Sequence, residues 1–257
     1  MSTDERLSPY PSVERSSGVG FGATIGVVYG VVLRQLVSTG RIVALVLLAL
    51  TTTVAGFAIG TSDTASITDA AGMIGNLGLA VVVPVVALVF GGAALGDLRE
   101  DKTLVYLWLR PMQRFPIVLG AALAALTLVI PVAIPPVVVG AALTGAGEGI
   151  VGATVLATLV AAVAYVAIFT FFGVWLRRYI VWGLAYILIW EGFIALGGAG
   201  VAQFAIRKYT RSILADVTGA DLRLADFSTT IGVVIPLAVS AVALGVAAWR
   251  LSRQDID

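Results

Sequence analysis

The stretch Gly96-Asp97-Leu98-Arg99-Glu100-Asp101-Lys102-Thr103-Leu104-Val105-Tyr106-Leu107-Trp108-Leu109-Arg110-Pro111-Met112-Gln113-Arg114 lies between two long apolar runs. Its charges come first: Asp97, Arg99, Glu100, Asp101 and Lys102. An apolar patch follows from Leu104 to Leu109, and Arg110-Pro111 closes it. A run this short cannot cross a bilayer, which takes about 20 apolar residues. Each charge near the bilayer centre would also cost about 2.5–3.5 kcal/mol on insertion scales. The segment therefore reads as a short helix at the membrane surface, wet at one end and apolar on one face. Thr103, Tyr106, Leu107 and Arg110 have the spacing that shares a helix face, and Leu104 and Trp108 share the next. Such a helix can be gripped by a soluble partner and can move the spans attached to it. By pattern alone, a solvated turn anchored in lipid is the competing reading.

The same stretch resembles the coupling-helix loop of ATP-binding-cassette (ABC) transporter permeases of the type-2 exporter kind. That loop reads roughly Gly-Asp-Glu-x-Glu-x-Gly-Thr-Leu-x-Tyr-Leu-x-x-x-Pro-x-x-Arg. Gly96, Asp97, Glu100, Thr103, Leu104, Tyr106, Leu107, Pro111, Arg114 and Gly120 fall on the pattern. Leu98 replaces an acid, Lys102 replaces the glycine, and Ala121 stands where a lysine is usual. The resemblance implies an all-α membrane protein: six transmembrane helices, an N-terminal interfacial helix and a cytoplasmic coupling helix. It implies that Asp97, Glu100, Lys102, Thr103, Leu104, Tyr106, Leu107, Arg110, Pro111 and Arg114 dock a separate ABC ATPase subunit. It further implies a second permease copy or a close relative, with ATP and Mg bound by the partner and no cofactor on this chain.

Composition fits a chain that lives in lipid. The 257 residues are 59% hydrophobic and 12% charged, with a mean hydropathy of +1.02. Soluble domains carry about 25% charged residues. The net charge of +1 leaves no nucleic-acid footprint. With no Cys and no His, the chain has no disulfides, no His-based metal site and no Ser-His or Cys-His catalysis. It also lacks the Gly-x-x-x-x-Gly-Lys-Ser/Thr loop that cradles nucleotide phosphates. An intramembrane aspartyl protease would need Gly-x-Gly-Asp, and Ala94-Leu95-Gly96-Asp97 lacks the first glycine. These absences argue against an enzyme.

In chain order, residues 1–20 form a polar tail, and 21–257 form a single transmembrane domain. Residues 21–38 read as an interfacial helix feeding the first span, with a seventh span as the rival. The spans are placed at about 41–60, 72–95, 115–143, 150–175, 179–196 and 229–248. Pro84 is expected to kink the second, and Pro131, Pro135 and Pro136 to bend the third or break its outer end. The segment 203–228, with interleaved charges, reads as an exposed cap on the outer side. The family forms short re-entrant helices in the matching region.

Lys and Arg set the orientation. Twelve of the sixteen fall on one side if the N-terminus is cytoplasmic, and the other four lie in the 203–228 loop. This bias favours six spans, with both termini and the 96–114 loop inside and the chain in the plasma membrane. Trp108, Trp175, Trp182 and Trp249 then lie near the inner boundary.

Glu191 is the one ionisable residue deep in a span. Twelve residues beyond Tyr179, it lies roughly 18 Å along a helix, near mid-membrane. A carboxylate there faces protein or water and is a functional candidate by default. Its two readings are a pathway group and an interhelix tie. Two rivals to the exporter follow: an ion-gradient transporter with Glu191 as proton carrier, and a membrane assembly factor that transports nothing.

Overall fold

The computed structural model describes residues 20–62, 66–100, 114–192, 203–223 and 225–253. Among them every regular element is a helix. We label these α1 (Phe21–Leu36), α2 (Thr39–Gly60), α3 (Ile67–Leu98), α4 (Arg114–Leu143), α5 (Ile150–Trp175), α6 (Tyr179–Glu191), α7 (Ile206–Thr218) and α8 (Thr229–Ser252). Five of them, α2, α3, α4, α5 and α8, are long and apolar enough to cross a membrane, the mark of a multi-pass membrane protein. In the most apolar windows of α3, α4 and α5, 72%, 61% and 67% of residues are buried within the chain, against 22% in α2 and 28% in α8. The first three form the centre. The other two flank it and present apolar side chains such as Leu47, Val54, Val234 and Val242 outward.

Close helix approach needs small residues, because lipid supplies no hydrophobic drive between helices. α2 runs in step with α4: Thr53 meets Pro136, Gly56 meets Gly140, and Gly60 meets Leu143. A Cβ at Gly56 would collide with the Gly140 carbonyl. The Gly56-x-x-x-Gly60 pair is thus the contact surface of the first span.

The prolines do not interrupt the helices that hold them. α4 is helical from Arg114 to Leu143 across Pro131, Pro135 and Pro136, with no broken outer end. Proline removes an N–H and so frees a carbonyl one turn back, and such groups are commonly re-satisfied by Ser/Thr side chains of neighbouring helices. Pro131, Pro135 and Pro136 free the carbonyls of Thr127, Pro131 and Val132, whereas Thr53 Oγ1 donates to the Pro136 carbonyl at 2.9 Å and so ties α2 to α4. In α3, Pro84 follows a wide π-helical stretch, Ile74–Val82, in which the Val83 N–H reaches back to the Gly78 carbonyl. A wider turn before a proline draws the carbonyl away from its ring, so α3 continues through Pro84.

α1 packs against the first half of α4. Thr24, Val28, Val32 and Leu36, each four residues apart, form its buried stripe. Phe21 stacks on Phe115, and the Tyr29 hydroxyl lies 3.1 Å from Thr127 Oγ1. α6 has thirteen residues, about 20 Å of helix, less than a bilayer's hydrocarbon thickness of about 30 Å. Residues 193–196, the end of the expected fifth span, lie outside the described residues.

The 203–228 segment corrects an expectation. Its helix α7 is not an exposed cap. Ile206, Thr210, Ser212, Ile213 and Leu214 are buried, and so are Lys208 and Arg211. α7 packs against α5 and α8, and a Cβ at Gly232 of α8 would press on Ile213 and on the Tyr209 carbonyl. A mixed-sign sequence reads as solvated only while the partners of its charges are unknown.

Candidate functional site

Two charged junctions stand at opposite ends of the bundle. The first surrounds Asp97, near the end of α3. Tyr179 Oη donates to Asp97 Oδ1 at 2.6 Å, and Arg41 Nη2 lies 3.5 Å from Asp97 Oδ2. One carboxylate thereby ties the end of α3 to the starts of α2 and α6. The Tyr179 ring lies over Gly92 and Gly96, and a Cβ at either would collide with it. The Gly92-x-x-x-Gly96 spacing makes the groove that admits the ring. Trp175, Trp182 and Trp249 are exposed at this end, as an interfacial aromatic belt requires.

Of the residues expected to dock a partner, Asp97 is therefore engaged within the chain. Glu100 is the last residue of the helix that carries Asp97, and Arg114 opens α4 and is half-buried. Lys102, Thr103, Leu104, Tyr106, Leu107, Arg110 and Pro111 lie outside the described residues. Arg41 and Tyr179 were not singled out from the sequence as members of this junction. Their available signal was position: a basic residue and a tyrosine at the predicted inner ends of two spans.

The second junction surrounds Glu191, whose side chain is 1% exposed. Its Oε1 accepts from the Ile206 N–H at 2.9 Å and from Tyr186 Oη at 2.9 Å. Its Oε2 accepts from the Arg207 N–H at 3.1 Å. A helix starts with four N–H groups that lack intrahelical partners, and its N-terminus attracts negative charge. Ala205, at the cap position of α7, has no side chain able to satisfy them. Glu191 supplies the missing acceptor from α6. The Tyr165 ring of α5, buried in the middle of the bundle, lies near the same carboxylate and stacks on Phe169, which meets Tyr186 edge-on. The geometry therefore makes Glu191 a tie between α6 and α7, with both carboxylate oxygens occupied.

One turn further along α7, Asn76 of α3 receives two guanidinium groups on its single carbonyl oxygen. Arg207 Nη2 donates at 2.8 Å and Arg211 Nη1 at 3.2 Å. Burial first, and then the Arg207 charge, pull Arg211 down to about 10. Asn76 is the only asparagine in the chain and sits in a long apolar run. That was a legible signal, and sequence reading passed over it. The neighbouring Lys208 lies 3.0 Å from Asp226 Oδ2, with its ammonium 4.8 Å from the Phe227 ring centroid. At the start of α8, Asp216 accepts from both the N–H and the Oγ1 of Thr229 at 2.7 Å, which holds its carboxyl below the usual aspartate range.

Among the described residues no three His, Cys, Asp or Glu side chains cluster as a metal site would require. No protein family, curated protein or solved structure matches the chain. Fold and composition together define a helical multi-pass membrane protein.

Proposed function

We propose that the chain is the membrane-spanning permease subunit of an ABC exporter, driven by a separate ATPase subunit. In this reading 179–196 completes a sixth crossing. Both termini and the 96–114 loop lie on the cytoplasmic side of the plasma membrane. Two copies, or this chain and a close relative, enclose the pathway. ATP and Mg act in the partner.

The observation that carries this reading is where the loop attaches. It joins α3 to α4, two of the three most deeply packed spans. A push on a surface helix there enters the core of the bundle directly. In mechanism, ATP draws two ATPase subunits together, and their clefts press on Tyr106, Leu107 and the charges around them. α3 and α4 then tilt. The Asp97 contacts to Arg41 and Tyr179 carry the tilt to α2 and α6. Glu191 accepts three hydrogen bonds that a proton-carrier cycle would have to break and remake, which favours the ATP-driven reading over an ion-gradient one.

The test is reconstitution with a candidate ABC ATPase. Co-purification and ATP-dependent cargo movement are expected, with Leu107→Asp abolishing both while the chain still inserts. Cargo movement without any nucleotide-hydrolysing companion overturns the proposal. So does labelling of Lys102→Cys from the outer side of sealed cells.

A further inference from the structure

α7 carries three cations within five residues: Arg207, Lys208 and Arg211. Lys208 is neutralised by Asp226. The other two are not. Their shared acceptor, Asn76 Oδ1, is a neutral amide oxygen. Among the described residues no carboxylate lies within 4.0 Å of either guanidinium. Glu191 is close in the fold, but it takes the backbone N–H of Arg207 and not its side chain. The Nε atoms of Arg207 and Arg211 are both buried and have no hydrogen-bond partner among the described residues.

Two like charges side by side in a low-dielectric setting repel, and buried unpaired charge is costly. Arg211 is only 6% exposed, so water does not relieve it. The backbone is shaped to receive this side chain, since a Cβ at Gly75 would stand 3.2 Å from Arg211 Nε. Adjacent Nε–H and Nη–H donors of guanidinium groups match the oxygens of a phosphate or carboxylate. The pair has the donors of an oxyanion site.

A cleft reaches the shared amide, although neither arginine is on its lining. Asn76 lines a cleft of about 560 Å³ that follows one face of α3 from Thr68 through Gly72 to Asn76 and borders Ser62 at the end of α2. Among the described residues on its lining, Asp69 is the one acid. Asp69 Oδ2 is already committed, accepting from the Ser66 Oγ at 2.6 Å and from the Ser66 N–H at 3.2 Å. We infer that Arg207, Arg211 and Asn76 form a phosphate-binding site behind the Asn76 wall of this cleft, for a lipid headgroup or a diffusible phosphate. The site stands at the opposite end of the bundle from the 96–114 loop and does not depend on the exporter reading.

The test uses the full chain purified in an uncharged detergent, with two probes. Native mass spectrometry measures retention of phosphatidylglycerol against diacylglycerol, which lacks the phosphate. Thermal unfolding measures stabilisation by inorganic phosphate against chloride at equal ionic strength. Preferential retention of phosphatidylglycerol alone assigns a headgroup, and stabilisation by inorganic phosphate assigns a diffusible anion. In either case Arg207→Gln and Arg211→Gln are expected to weaken binding roughly tenfold or more. Arg211→Lys keeps the charge and most of the bulk but loses the planar fork, so it too is expected to weaken binding while guarding against misfolding. Arg223→Gln, a change at an exposed basic residue outside the pair, is expected to bind as the unaltered chain does. The inference is overturned if the unaltered chain shows neither response. It is equally overturned if Arg207→Gln and Arg211→Lys bind undiminished, or if Arg223→Gln weakens binding as much as they do.

Discussion

The two ends of the bundle manage charge in opposite ways. At the Gly96 end, Asp97 and Arg41 keep 24% and 32% of their side-chain surface exposed, and their contact is 3.5 Å long. At the far end, Glu191 is sealed from solvent and makes three hydrogen bonds of 2.9 to 3.1 Å. The difference fits the mechanics proposed above. A partly wet ion pair is weak and screened by salt, so it can be remade at little cost. A buried carboxylate that caps a helix is strong only because every partner is in place, and removing one strands the others. The Gly96 end suits a joint that moves. The Glu191 end suits an anchor against which it moves.

That contrast can be broken by substitution. Glu191→Ala leaves two N–H groups and the Tyr186 hydroxyl without an acceptor. It is expected to destabilise the chain by about 3 kcal/mol in denaturant or thermal unfolding in detergent. Tyr179→Phe keeps the ring over Gly92 and Gly96 and removes only the hydroxyl bond to Asp97, for an expected loss of about 1 kcal/mol. Arg41→Gln is expected to cost less than about 1 kcal/mol, with the loss fading as salt is raised. If Arg41→Gln proves as damaging as Glu191→Ala, the two ends are alike and the moving-joint reading fails.

Asp216 sharpens the comparison with the smallest effect. It is exposed, yet it caps α8 through Thr229 and its carboxyl titrates below the usual range. A carboxyl depressed in the folded state contributes stability above the ordinary aspartate value, near 4. That contribution is lost as the pH falls through the lowered folded value. Asp216→Asn is therefore expected to lower stability slightly at neutral pH and to flatten the acid limb, where its curve meets that of the unaltered chain. An unaltered acid limb would mean that the Thr229 contacts do not hold in solution.

Much of the architecture could be read from residues alone. The fourth span, expected at 150–175, is the helix Ile150–Trp175, because Gly149 before it and Arg177-Arg178 after it punctuate an uninterrupted apolar run. The first was equally legible, at Thr39–Gly60 against an expected 41–60. The broken outer end weighed for the third span is not found, since proline's local cost is plain in sequence while the close packing of α2 along α4, Gly56 on Gly140 and Gly60 on Leu143, is not. α7 misled for a related reason. Its charges looked solvated because Asn76, which takes Arg207 and Arg211, lies 131 and 135 residues away in the chain and beside them only in space.

What the sequence determined by itself was the solvent: a 59% hydrophobic chain with long uncharged runs must place those runs in lipid, and length alone then makes them helices. Only the tertiary structure decided the partners of the few charges left inside. Hydropathy is a property of each residue taken singly. The pairing of Asp97 with Arg41 and Tyr179, or of Glu191 with the start of α7, is a property of how helices are rotated against one another.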